Sequence, residues 1–323
     1  MQELTKVTQD IPGAPAPAPG TAQGTGATRQ GQRWTSPSTP YLLIALPALG
    51  VLMFVGYPSV LAIVHSFQHV SQLGQASGFA GLANYQQLFQ DNVFSDAVVN
   101  TAIYGSISVV LCVLIALAIA LLIGAGRRRA SKTLMLSLFS PTILPMIAAA
   151  NIWLYLLAPT FGVIDRAFGW AGLRNMNLLG KPSTALGVLV ALFLWKYVPY
   201  FTLFILAGLQ AVPTDVWDAM RTEDPRHWYG FRRVILPVLA PMLLFVTTMA
   251  LLYAFETIDS VYVMTQGGPD YGTETVMYYL YQLGFNFFEW GPAGALTALL
   301  LVTFSTVSAI ALISVERRTF HWQ

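Results

Sequence analysis

The chain has 323 residues, of which 55% are hydrophobic and only 10% charged, with a net charge of +2. An ordinary soluble domain carries roughly 25% charged residues, so this composition excludes a soluble globular domain, offers nothing to a nucleic acid partner, and places the chain in a lipid bilayer. Its single cysteine, Cys112, excludes an internal disulfide and reads as a packing residue.

Residues 1–40 come first and are of a different material. The stretch "IPGAPAPAPGTAQGTGATRQGQ" has almost no large apolar side chains and cannot offset the entropy of folding, so it reads as a disordered cytoplasmic tail. The opening "MQELTKVTQD" has no apolar run behind a basic start, unlike a cleavable signal peptide.

Six apolar stretches follow, from about Tyr41 to Val64, Ala97 to Ile123, Thr133 to Leu157, Thr184 to Leu209, Val234 to Phe255, and Pro292 to Val315. Each approaches or exceeds the roughly 20 residues that a helix needs to cross the hydrocarbon layer. Their continuity excludes barrel strands, which alternate in polarity. The pattern therefore predicts an all-α integral membrane protein with six transmembrane helices. With the N-terminus inside, 13 of the 17 basic residues fall on the cytoplasmic side, which predicts cytoplasmic termini.

The connections differ in character. The loop after the first span is polar and predicts a short amphipathic helix around Tyr85 to Phe89. The turn "GAGRRRASKT" nearly fits a phosphate-binding loop, with Ser131 at the second glycine position. No buried strand precedes it, and three consecutive arginines do not suit a tight backbone nest. It reads as a positive-inside loop. The last long loop holds five carboxylates and no basic residue.

No catalytic constellation and no metal site is apparent. His65 and His69 stand four apart but at the end of the first span, where polar residues are expected by default. Lys196 is the one charge inside the six stretches, and such residues usually face a cavity or a partner. Pro199 stands three residues on and predicts a broken helix, the usual setting of a substrate passage; Pro145 predicts the same in the third span. Candidate passage residues are Asn151, Tyr155, Trp195, Lys196 and Tyr200, with Glu256 or Asp259 as the expected partner of the lysine.

Between the fourth and fifth spans, charges of both signs crowd together in "VWDAMRTEDPRHWYGFRRVILP". Val216 to Glu223 reads as a short helix, with Asp224 as N-cap and Pro225 opening the next. The result is an elbow. Its apolar and small residues, bordered by charges, suit docking; a helix lying on lipid headgroups is the alternative.

This segment, "LQAVPTDVWDAMRTEDPRHWYGFRRVILPVLAP", resembles the EAA loop of permease subunits in binding-protein-dependent ABC importers of the maltose and glycerol-phosphate type. Leu209, Gln210, Pro213, Ala219, Phe231, Leu236 and Pro237 match the family pattern, whereas Asp218, Met220, Glu223 and Asp224 replace its glutamate, second alanine, aspartate and glycine. "GFAGLANYQQLF", the Asn100–Thr101 start of the second span and "VYVMTQGGP" are similar to further family segments, in the same order.

The resemblance implies a type I ABC importer permease fold with a cytoplasmic coupling helix, spanning residues 41–318 with the EAA loop at about 209–237 and a short tail at 319–323. It implies residence in a bacterial inner membrane, a second permease subunit in a heterodimer, two ATPase subunits carrying ATP and Mg, and an extracytoplasmic binding protein delivering a sugar, polyol or glycerol-phosphate compound. This chain itself would hold no cofactor. Asp218, Ala219, Met220, Arg221, Glu223 and Asp224 would make the ATPase contact. The alternative is an ion-coupled secondary transporter, which shares broken helices and a buried charge but needs no ATPase.

Overall fold

The structure is a computed structural model that describes residues 39–125, 132–159, 162, 163, 166, 177–213, 215–217 and 230–319. The expected N-terminal tail lies outside the described residues except where helix α1 (Thr39–Val51) begins. The residues up to Val55 and those from Gly56 onward form two units. The first unit holds α1, an apolar helix with Pro47 inside it, followed by a π-helical turn starting at Leu52.

The second unit opens with α2 (Tyr57–Ser66), a two-stranded antiparallel hairpin of β1 (Gln68–Val70) and β2 (Ala76–Phe79), and α3 (Ala83–Gln90). Helix α3 falls where the amphipathic pattern placed it. The hairpin is a small departure from an all-α chain. Next come α4 (Asn92–Ala125), α5 (Lys132–Ile143), α6 (Met146–Leu156), α7 (Pro182–Gln210), α8 (Leu236–Phe255), α9 (Asp259–Met264), α10 (Val276–Tyr281) and α11 (Trp290–Thr319).

Among the described residues, five helical stretches are long and apolar enough to cross a membrane: Leu43–Ser66, Asn92–Gly124, Pro182–Gln210, Phe231–Met264 and Trp290–Ala309. The expected third span is not one helix. It divides at Leu144 and Pro145 into α5 and α6. Pro145 has no amide to give the Pro141 carbonyl, and Pro141 likewise has none for Ser137, so two helix bonds are lost in quick succession.

Expectation fails at Pro199. Helix α7 runs unbroken through it, because α4, α5 and α8 pack around this helix and tertiary contact outweighs one missing backbone bond.

The core is the seam of α4 and α7. On α4, Tyr104, Ser108, Cys112, Ala116 and Ala120 recur every fourth residue and are all fully buried, forming one stripe along the helix. Mostly small, they let α7 come close, as membrane helices require where lipid supplies no hydrophobic drive. Cys112 thus packs, as its position suggested.

Helix α11 lies on α2 by a similar device. A Cβ on Gly294 would stand 2.6 Å from the Ala62 carbonyl oxygen and 3.0 Å from the Ser66 amide nitrogen. Gly294→Ala should therefore force the two helices apart at a cost of about 1–3 kcal/mol. A lowered midpoint of thermal unfolding in detergent, larger than that of Gly187→Ala where nothing lies within 4 Å, is the expected outcome.

Candidate solute passage and coupling loop

The passage residues inferred from the sequence fall on α6, α7 and the end of α8. Lys196 occupies the midpoint of α7 and is 7% exposed. Its ammonium donates to the backbone carbonyl of Leu144, at the junction of α5 and α6. The expected partner was a carboxylate, Glu256 or Asp259. Glu256 instead caps the C-terminus of α8 and Asp259 opens α9, both exposed. A freed carbonyl serves the lysine, and sequence reasoning missed it even though Pro145 announces it.

Aromatic rings surround this point. Tyr197 and Tyr253 stack with centroids 5.0 Å apart and planes at 17°. Tyr200 lies 6.2 Å from Tyr253, and Trp153 of α6 lies 6.0 Å from Trp195 of α7. All five rings are half-buried rather than sealed in the core. Behind them Phe193 and Phe201 are fully buried. Glu256 and Asp259 lie within electrostatic reach of the Tyr197 phenol.

Asn151 and Tyr155 share the exposed side of α6, and the Asn151 amide donates to the Ile147 carbonyl of its own helix at 2.9 Å. The structure therefore groups Tyr200 with Tyr253 and Tyr197, the last beside Lys196, pairs Trp195 with Trp153, and leaves Asn151 and Tyr155 on the exposed side of α6.

The coupling candidates Asp218, Ala219, Met220, Arg221, Glu223 and Asp224 lie outside the described residues. On the near side, Val216 and Trp217 are half-buried against the core. Beyond the segment, a π-helical turn at Phe231–Ile235 leads into α8. Of the near phosphate-loop, Gly126–Ser131 also lie outside the described residues, while Lys132 and Thr133 open α5. His65 ends in α2 and His69 in β1, so the two do not share a helix face.

The sequence matches the family described as binding-protein-dependent transport system inner membrane component over residues 113–321. This chain belongs to that family. It is a multi-pass permease of the inner membrane, the membrane subunit of a binding-protein-dependent ABC importer rather than an enzyme, which sets aside an ion-coupled carrier.

Among its relatives, the sn-glycerol-3-phosphate transport system permease protein UgpA of Agrobacterium fabrum is 28% identical, over 87% of this chain and 96% of the relative. The diacetylchitobiose uptake system permease protein DasB of Streptomyces coelicolor is 26% identical, over 86% of this chain and 87% of its own length. A chain of a bacterial ABC transporter involved in the import of the acidic polysaccharide alginate shares the fold, with a TM-score of 0.75, 18% identity, and coverage of 86% of this chain and 95% of that one.

Sequence reasoning also passed over Glu274, in the loop between α9 and α10. It is 1% exposed, and neither carboxyl oxygen has a hydrogen-bond partner. A Cβ on Gly267, which has φ +82°, would collide with its Oε2. The first glycine of the T-x-G-G-P segment is thus required by both conformation and contact.

Burial pushes the Glu274 carboxyl up from 4.5 to about 7. Nearby, Tyr279 donates to Asp91 Oδ2 at 2.5 Å. Below pH 4.5 the group is neutral whether folded or unfolded, so its contribution is fully present. As pH rises, the unfolded chain ionises first, and the contribution is lost as pH passes about 7. Thermal stability should fall over this window in the native chain and stay flatter in Glu274→Gln; equal slopes in unfolding scans at stepped pH would contradict the assignment.

Proposed function

We propose that this chain forms one half of the translocation pathway of an ATP-driven importer, paired with a second permease in a heterodimer, and that its solute is a sugar. The single observation that carries the substrate class is the half-buried aromatic group of Trp153, Trp195, Tyr197, Tyr200 and Tyr253 around the middle of α7. Such rings offer flat apolar faces to a sugar ring, whereas Lys196, the one buried cation there, already serves a carbonyl.

In this reading six membrane crossings, the third made of α5 and α6, put both termini in the cytoplasm. Trp195, Tyr200 and Lys196 border the passage, Asn151 and Tyr155 face it from α6, and Glu256 and Asp259 stand at its outer mouth. The EAA segment carries the drive: Asp218, Arg221, Glu223 and Asp224 hold a cleft on one of two ATPase subunits electrostatically, with Ala219 and Met220 at the closest approach. ATP and Mg are held by those subunits. An extracytoplasmic binding protein delivers the solute; in support, a chain that shares this fold at TM-score 0.72 comes from a bacterial alginate ABC transporter in complex with an alginate pentasaccharide-bound periplasmic protein.

A second reading, a glycerol-phosphate solute, is favoured by the 28% identity to UgpA over most of both chains. Uptake of radiolabelled diacetylchitobiose and of radiolabelled sn-glycerol 3-phosphate by the reconstituted importer separates the two. For a sugar, Tyr253→Ala should raise the half-saturating concentration roughly threefold to tenfold, the loss of one aromatic contact. Transport of the phosphate compound alone, unaffected by Tyr253→Ala, would overturn the sugar assignment. Asp218→Lys should abolish uptake of either solute and release the ATPase on co-purification; retained ATPase and uptake would remove Asp218 from the docking surface.

A further inference from the structure

Helix α5 ends because Pro145 lacks an amide for the Pro141 carbonyl, and because the residue before a proline is driven from the helical region. The Leu144 carbonyl is left at the tip of a half-helix. A bilayer supplies no donor to such a group, and the tip carries the negative end of the half-helix dipole. Lys196 reaches across from the middle of α7 and donates to it. A buried ammonium and an orphaned carbonyl, each unfavourable alone, meet each other.

The two halves of the broken span have different neighbours. Helix α5 packs on α7, whereas α6 packs chiefly on α9. The junction at Leu144 is therefore where the chain passes from one support to the other. We infer that Lys196 is a positioning residue, which fixes the Leu144 junction and so sets how α6, bearing Asn151, Trp153 and Tyr155, stands against the passage. It acts through the backbone and is not itself a ligand for the solute. This role rests on the broken span and holds whichever solute is carried.

Hydrogen exchange by mass spectrometry on the full chain, assembled in lipid nanodiscs, tests the role without a solute. Lys196→Met, which removes the donor, should speed exchange of the α6 amides from Ala149 to Leu156 by roughly tenfold, the loss of one hydrogen bond to a charged group. Lys196→Arg, which keeps a donor, should stay within about twofold of the native chain. In a Pro145→Ala background the Leu144 carbonyl can join a continuous helix, so adding Lys196→Met should then change little.

Unchanged α6 exchange in Lys196→Met would overturn the inference, as would an equal effect with and without Pro145. Should Lys196→Met fail to assemble, its recovery by Pro145→Ala supports the pin. Failure of the double variant where Pro145→Ala alone assembles counts against it. Loss of sugar uptake with normal exchange would instead point to direct contact with the solute.

Discussion

Inside a bilayer a backbone carbonyl or amide must find its partner within the protein, since lipid tails offer none. Much of this structure follows from that constraint. The long helices close their own bonds, and their hydroxyls do the same: Thr202 donates to the Val198 carbonyl at 2.7 Å, Thr297 to Ala293 at 2.8 Å, and Thr303 to Leu299 at 2.8 Å. Where the ladder fails, at Leu144, a lysine from another helix supplies the missing donor. Prolines thus have opposite effects at two places. Pro199 removes one bond in a helix packed against α4, α5, α6 and α8, while Pro145 and Pro141 remove two in succession.

At one end of the bundle the constraint relaxes, and side chains take over from helical ladders. Asn100 of α4 donates to the Tyr271 carbonyl at 2.8 Å, the Val276 amide donates to Thr101 Oγ1 at 2.9 Å, and Trp290 donates to the Gln72 carbonyl at 3.1 Å. Two of these bonds tie α4 to the loop before α10 and to α10 itself, and the third ties the start of α11 to the hairpin across 218 positions of sequence. The loop is consequently part of the folded body, with Val276 and Tyr279 in a core of their own beside Leu88, Phe94 and Leu296.

How much of this was legible in the sequence varies by kind of signal. Five of the six spans were legible because their cause is local: an apolar run of that length closes its own backbone bonds in lipid as a helix. Helix α3 was legible from its own amphipathic pattern. The break at Pro145 was readable too, but the parallel expectation at Pro199 failed, because the outcome depends on neighbours that one segment does not reveal. The partner of Lys196 was invisible for a related reason. A search for opposite charge finds Glu256 and Asp259, whereas the true acceptor is a backbone atom 52 positions away, and every residue has one of those. Glu274 was hidden among five carboxylates in a loop, and only the left-handed Gly267 against it marks it out.

The distribution of these features bears on how one fold serves different cargoes. The relatives of this chain are named for glycerol phosphate and for diacetylchitobiose, and a chain of the same fold belongs to an alginate importer. Backbone pairing, the small-residue seam of α4 and the close approach at Gly294 are demands of the bilayer and of packing, indifferent to cargo. The rings of Trp153, Trp195, Tyr197, Tyr200 and Tyr253 pack against the core as well, yet none of them is sealed inside it. A position that the fold leaves open in this way can change with the solute at little cost to stability. By the same logic, a lysine bound to the scaffold through Leu144 belongs with the fixed parts and not with the variable ones, and on the reading proposed above the discrimination between solutes falls to the rings around it.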